Sequence, residues 1–180
     1  MGKLNSSMTL MLALAMPSLY AKTYEAIPKE SKISYSLHHP LHQVHGSSNE
    51  FLCSVDLPGD TLQAQIHVKV AIATFNSGNS NRDSHALEML GAYKNPYVEL
   101  VSDSLKKEKD GYRVFGKLSL HGQTHLVNFL VKPTYVPNRV RIQGGFSIRL
   151  SAYGVKRPTL LFVPTDDELK IEIDVAALQP

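Results

Sequence analysis

The chain has 180 residues, 43% of them apolar, with 19 Lys and Arg against 16 Asp and Glu, a single Cys and no Trp. One thiol excludes an internal disulfide, and without a Cys pair there is no zinc ribbon, CxxC redox pair or Cys-ligated iron–sulfur cluster. A formal charge of +3 with no Lys/Arg cluster gives no nucleic-acid footprint, and the length suits one domain with a substantial core of its own.

Residues 1–21 hold one cation (Lys3), an apolar run from Met8 to Met16, Pro17, and then Ser18-Leu19-Tyr20-Ala21 before Lys22. This is the layout of a secretory signal, with cleavage expected after Ala21. The apolar run is too short for a hydrocarbon core of roughly 30 Å, which takes about 20 residues, so no membrane span is expected. No Cys stands near the junction to carry a lipid anchor. The expected product is periplasmic or secreted, and its one domain covers residues 22–180.

From Ile33 onward apolar residues recur at every second position, which places them on one face of extended segments. In chain order the runs are Ile33, Tyr35, Leu37; Ala64, Ile66, Val68, Val70; Tyr112, Val114, Gly116, Leu118, Leu120; Val127, Phe129, Val131; Val140, Ile142, Gly144, Phe146, Ile148, Leu150; and Leu169, Ile171, Ile173, Val175. Residues between them are polar, such as Gln65, His67 and Lys69, or Lys170, Glu172 and Asp174. One face of the sheet therefore meets water and the other an apolar interior. Turn residues separate the runs at Pro58-Gly59-Asp60, Lys109-Asp110-Gly111, His121-Gly122-Gln123 and Pro137-Asn138, and such short links imply sequential hairpins. The exception is Asn81 to Leu90, where Ala86, Leu87, Glu88 and Met89 favour a helical turn or two and Asp83 caps or charges the first turn. Gly144-Gly145 inside a long run predicts a bend or bulge. Counting Phe51–Leu57 and Tyr97–Leu105, eight strands are expected in an all-β chain. They close into an antiparallel barrel or stack as a two-layer sandwich, and periodicity does not separate the two.

Four of the eight His fall in His38-His39-Pro40-Leu41-His42-Gln43-Val44-His45. Imidazoles bind zinc, copper or nickel, and the spacing of His39, His42 and His45 would align them on a helix, but Pro40 and the flanking strand pattern argue against one. The expectation is a polar strand end with solvent-facing imidazoles and no metal. The densest polar cluster is Ser77-Gly78-Asn79-Ser80-Asn81-Arg82-Asp83-Ser84-His85. It sets Asp beside Ser and His, yet residues adjacent in sequence rarely reach one another as a triad, and no Gly-x-Ser-x-Gly elbow is present. Catalysis is not expected, and Cys53, in Phe51-Leu52-Cys53, reads as a buried small residue rather than a nucleophile.

Several segments follow one another in a particular order. They are the strand Ile33 to His39, then Gly78-Asn79-Ser80-Asn81-Arg82-Asp83-Ser84-His85, Tyr93-Lys94-Asn95-Pro96, and the hairpin Gly116-Lys117-Leu118-Ser119-Leu120-His121-Gly122. The ending Tyr153-Gly154-Val155-Lys156-Arg157-Pro158 before Asp167-Glu168-Leu169-Lys170-Ile171-Glu172-Ile173 completes the series. Together they resemble the YceI-like family of bacterial exported proteins that bind polyisoprenoid lipids, over nearly the whole chain beyond residue 21. The chain departs from the family pattern at Leu150-Ser151-Ala152, where an Arg and an Asp commonly precede the aromatic-Gly pair, and at Asn95, commonly an aromatic.

The resemblance implies a lipocalin-like antiparallel eight-stranded β-barrel with one short helix. An apolar lipid would lie inside it against Ile33, Tyr35, Leu37, Ile66, Val68, Val70, Tyr112, Leu118, Phe129, Ile142, Phe146 and Ile148, with Gly116 and Gly144 leaving space. Asn79, Arg82, Asp83 and His85 would form a polar cluster. Either Arg82, with His85 nearby, meets the ligand's head group at the mouth, since guanidinium suits phosphate oxygens, or Arg82 and Asp83 form a buried pair that locks the helix to the barrel. No catalytic residue, metal or cofactor is expected. The bound molecule would be an isoprenoid lipid or a quinone-like compound, held for transport, storage or sensing. The expected partners are that lipid, no nucleic acid and, as an open point, a second copy in a homodimer. The alternative is a barrel packed solid, acting as an exported stress-related or partner-binding protein without lipid.

Overall fold

Alternating apolar and polar side chains are sorted onto opposite faces by extended backbone, and the runs lie in strands in the computed structural model, which describes residues 22–57 and 65–178. The expected signal segment 1–21 and the expected turn at Pro58-Gly59-Asp60 lie outside the described residues. In chain order the strands are β1 (Lys22–Ala26), β2 (Lys32–His39), β3 (His42–Ser48), β4 (Phe51–Leu57), β5 (Gln65–Ala71), β6 (Tyr97–Glu108), β7 (Gly111–Leu120), β8 (Gln123–Val136), β9 (Arg139–Arg149), the two-residue β10 (Thr159–Leu160) and β11 (Val163–Pro164), and β12 (Glu168–Leu178). One helix, α1 (Ser80–Met89), stands between β5 and β6.

The sheet closes on itself. β12 pairs with β9 along its whole length, from Glu168↔Arg149 to Leu178↔Arg139. Its other edge takes β2 from Leu169↔Leu37 to Asp174↔Lys32, and then β1 at Ala177↔Ala26 and Leu178↔Glu25. β1 and β2 are thus one barrel position, interrupted by the 3-10 turn Pro28–Glu30. β3 and β4, paired to β2 and β1, make the next position. β5 to β9 complete an antiparallel circuit of eight positions, which decides barrel over sandwich.

The wall loosens at two places, both toward the end of the barrel that carries α1. Beyond β2, β3 meets only a single bridge, Ser47↔Asn76, in the segment leading into α1. β8 and β9 part after Val131↔Gly144, and the 3-10 helix Leu150–Tyr153 fills the gap. Tyr153 is 2% exposed there, its ring edge-on to His125 at 4.8 Å, and the His121 Nδ1–H donates to its carbonyl at 2.9 Å. Phe129 and Phe146 stack across the same gap at 4.5 Å between centroids.

Three expectations are corrected here. Register along β9 and β12 runs unbroken through Gly144-Gly145, so the pair marks where the β8 ladder stops rather than a bulge; the register shift lies in β6, between Ser102 and Ser104. Gly116 and Gly144 leave no space in the interior. A Cβ on Gly116 would stand 2.5 Å from the Val101 carbonyl oxygen, and one on Gly144 2.6 Å from that of Leu130, so neighbouring backbone occupies the room. The helix has ten residues rather than a turn or two; Asp83 stands in its first turn and charges it, while the side chain of Asn79 caps it by accepting the Arg82 N–H at 3.1 Å.

Leu105, Val114, Leu118 and Val131 are buried at the heart of the main apolar cluster, each stabilising the fold by about 1.5–3 kcal/mol through removal from water. Outside, Arg141 forks onto Asp174 across β9 and β12 with two bonds of 2.7 Å. That guanidinium holds the Asp174 carboxyl below its ordinary range. Replacing Gly116 by Ala forces a methyl against the β6 backbone at its irregular step. The expected loss is about 1–3 kcal/mol in urea unfolding, and an unchanged midpoint would show that β6 yields freely.

Candidate functional site

Inward side chains of this barrel leave part of its interior unfilled. They enclose a cavity of about 580 Å³ at the end covered by α1, the β2–β3 turn and the β10–β11 hairpin. Of the residues expected inside, Ile33, Tyr35, Leu37, Ile66, Val68, Val70, Leu118, Phe129, Ile142, Phe146 and Ile148 line it. Tyr112 does not. It faces a separate space of about 80 Å³ toward the opposite end, with Tyr24, Tyr135 and Pro133. Further lining residues lie outside that expected set. Leu169, Ile171 and Ile173 already stood in a period-two run, whereas Phe75, Met89 and Leu90 come from loop and helix, where alternation carries no signal.

Polar groups sit at one rim. Asn81, Arg82, Asp83 and His85 of α1 border the cavity, while Asn79 is taken up in capping. Ser77 is the hub that fixes this turn. The Asp83 carboxylate accepts from the Ser77 backbone N–H at 3.1 Å and from its hydroxyl in a short bond. Arg82 donates through Nε to the Ser77 hydroxyl at 2.8 Å and through Nη2 to the Ser77 carbonyl at 2.6 Å. Of the two alternatives, the direct Arg82–Asp83 pair does not form; both side chains are half-buried and both grip Ser77. The Nη1 of Arg82 makes no hydrogen bond among the described residues.

Tyr35 reaches under the helix from β2. Its ring lies over Gly46, where a Cβ would stand 2.5 Å from it, and edge-on to Phe75 at 5.6 Å. Burial raises its phenol above the usual value, the Asp83 charge adds to this, and Arg82 opposes it. A neutral hydroxyl is thus held at the rim beside a cation and a carboxylate. The buried Thr165 hydroxyl, also on the cavity wall, has no hydrogen-bond partner among the described residues.

The histidines divide. His38, His42 and His45 are exposed, but His39 is 1% exposed, a correction to the expected solvent-facing set. Its Nε2–H donates to the Val163 carbonyl at 3.0 Å and its Nδ1 accepts the Leu41 N–H at 3.1 Å, so both ring nitrogens are engaged and the imidazole ties the β2–β3 turn to β11. His38 pairs with Asp166 and His45 with Ser36. Among the described residues no group of three or more His, Cys, Asp or Glu is placed to hold a metal ion. Cys53 borders the cavity, and burial pushes its thiol up to about 11.

The model of the YceI-like domain matches residues 24–177. A UPF0312 protein of Serratia proteamaculans (strain 568) is 25% identical over 128 residues, 67% of this chain and 65% of its own, so the match spans just under two thirds of that relative's length. Among solved structures, Burkholderia cenocepacia BcnA superposes with a TM-score of 0.76 at 20% identity, covering 84% of this chain and 98% of its own. The Campylobacter jejuni YCEI protein gives 0.68 at 17%, covering 79% and 89%. A polyisoprenoid binding domain from Saccharophagus degradans gives 0.66 at 10%, covering 87% and 98%. At these identities the structures share the fold with this chain.

Two outcomes test the local chemistry. Ser77→Ala removes an acceptor from Arg82 and a donor from Asp83, and is expected to cost about 1–3 kcal/mol in thermal unfolding, as bonds to charged groups do. The Cys53 thiol, raised from 9.0 to about 11, is expected to react with iodoacetamide at pH 8 about a hundredfold more slowly in the folded protein than in urea, because only the thiolate attacks.

Proposed function

This chain belongs to the YceI-like family, and from that membership and the cavity in its barrel we propose that it is an exported binding protein that holds a long isoprenoid-type lipid in the barrel interior. The observation that carries this reading is the cavity of about 580 Å³ walled by aliphatic and aromatic side chains, well within the roughly 300–1,000 Å³ of small-molecule sites. A barrel packed solid would lack that volume. An apolar chain entering it gains about 25 cal/mol for each Å² removed from water, so a few hundred Å² supply several kcal/mol before entropy losses.

The rim supplies an orientation. Its polar groups, Arg82, Asp83, His85 and Tyr35, border the side where α1 lies, so a tail goes in first and a hydroxyl or phosphate stays beside the Arg82 Nη1 and the Tyr35 hydroxyl. The unpartnered Thr165 hydroxyl offers a further contact to a polar end. The description of the Saccharophagus degradans neighbour as polyisoprenoid binding agrees with such a ligand. Carriage, storage and sensing all begin with this step. Export rests on the signal pattern of residues 1–21. An enzyme reading finds no support at the Ser, Asp and His of the α1 cluster, since the Asp83 carboxylate serves Ser77.

Lipid extraction and mass spectrometry of protein purified from its native compartment test the reading. A co-purifying isoprenoid is expected, and protein that is empty and also fails to bind added prenyl lipid would end it. Val68→Trp, which places an indole in the cavity, is expected to abolish prenyl-lipid binding while the protein stays folded. Arg82→Ala is expected to weaken binding of a phosphorylated prenyl lipid more than that of the free alcohol, and equal losses would make Arg82 purely structural.

A further inference from the structure

The hairpin at the cavity mouth breaks two rules at once. Its two-residue turn, Leu161-Phe162, has both residues in the left-handed region, with φ of 51° and 66°, the conformation for which hairpins ordinarily use Asn-Gly or Asp-Gly. Bulky L-residues are strained there, and such strain persists where something outside the local fold selects it. The side chains it presents are apolar and open to solvent: Phe162 is fully exposed and Leu161 is 73% exposed. Leu160 and Val163 flank them on the two short strands, both exposed. Leu41, 62% exposed, stands on the neighbouring β2–β3 turn, which His39 joins to Val163.

Charge along the hairpin segment itself is one-sided. From Leu150 to Thr165 the chain carries Lys156 and Arg157 and no carboxylate. Both cations are exposed at the base of the hairpin. Two acids, Asp166 beside His38 and Asp167 beside Ser151, follow beyond the strands of the hairpin, at the end away from its turn. The base of the hairpin, Pro158, Thr159, Leu160 and Thr165, is itself part of the cavity wall.

We propose that the β10–β11 hairpin is a membrane-docking tip, which seats Leu161 and Phe162 in the surface of an anionic bilayer so that the cavity mouth faces the lipid phase. An exposed apolar point with two cations at its base fits an interface of acyl chains beneath anionic head groups. The location at the mouth gives docking a purpose: a ligand that water will not carry passes between bilayer and barrel without crossing solvent. That purpose rests on the lipid-binding reading above, whereas docking itself does not.

Flotation of the purified protein with vesicles of phosphatidylethanolamine and phosphatidylglycerol tests the proposal. Leu161→Asn with Phe162→Gly removes the apolar tip while giving the turn the residues its backbone favours. The bound fraction is expected to fall about tenfold or more, with melting temperature kept or raised and with binding of a prenyl alcohol delivered from detergent micelles unchanged. Lys156→Gln with Arg157→Gln is expected to weaken binding to these vesicles, and phosphatidylcholine vesicles are expected to bind the unaltered protein less. Docking is overturned if the unaltered protein stays off the anionic vesicles, or if the Asn-Gly variant floats equally well. It is also overturned if that variant loses micelle-delivered ligand, which would make the tip part of the pocket, or if the tip instead drives a dimer that the variant abolishes. Vesicle binding that survives while no prenyl alcohol is taken from micelles supports docking and removes the lipid-binding reading.

Discussion

The closure of one antiparallel sheet through β12 is the constraint on which the rest of the molecule depends. This strand is paired on both edges, to β9 along its full length and to β2 and β1 in succession. With that double pairing the sheet has an inside, and the alternation along β12 acquires a meaning. Leu169, Ile171, Ile173 and Val175 border the cavity, while Asp174 on the outer side meets Arg141. Were β12 to leave one neighbour, the apolar faces of eight positions would have no common interior and two long edges would be free for association.

An eight-stranded barrel is narrow enough for side chains to fill it, so the unfilled volume has to come from their sizes and from the openings in the wall. The two ends differ accordingly. Tyr24, Tyr112 and Tyr135 crowd the end away from the helix, leaving about 80 Å³. At the helix end the wall is largely Val, Leu and Ile, and the strands have parted at Gly144 and beside β3. The helix covers that end without plugging it. It has no buried residue, and the turn that leads into it is held by hydrogen bonds that Ser77 accepts from Arg82 and donates to Asp83 rather than by an apolar staple.

What was legible in the sequence is what a local rule can carry. Period-two alternation identifies strands and their inward faces because adjacent side chains must point opposite ways, and the short turns at Lys109-Asp110 and His121-Gly122 reveal the antiparallel neighbours. Alternation names a face without naming an end, which is why Tyr112 was grouped with residues from the other half of the barrel. It is equally blind to what stands across a glycine. Gly116 and Gly144 looked like gaps, but the coil of the sheet brings the backbone of β6 and β8 over them. His39 looked like its exposed neighbours because its partner, Val163, lies far along the chain in a hairpin that composition does not announce. The polar cluster is visible as residues, yet which of them caps the helix and which holds Ser77 depends on the turn before the helix, where Gly78 takes a positive φ of 76°.

The same geometry ties stability to occupancy. Atoms lining a void have lost their contacts on one side, so the empty barrel carries a packing deficit that its closed ladders must offset. An apolar occupant would return those contacts, and a ligand present at about a hundredfold over its Kd adds about 2.7 kcal/mol to the folded state. The walls need not move for this to happen. Away from the two openings the wall strands are held by ladders to their neighbours, whereas the turn into α1 is held by one serine and a few side-chain bonds, so the helix end is the least costly part of the barrel to open. Because Asn81, Arg82, Asp83 and His85 of the polar rim lie on that same helix, whatever loosens the Ser77 hub also disturbs the charged side of the cavity.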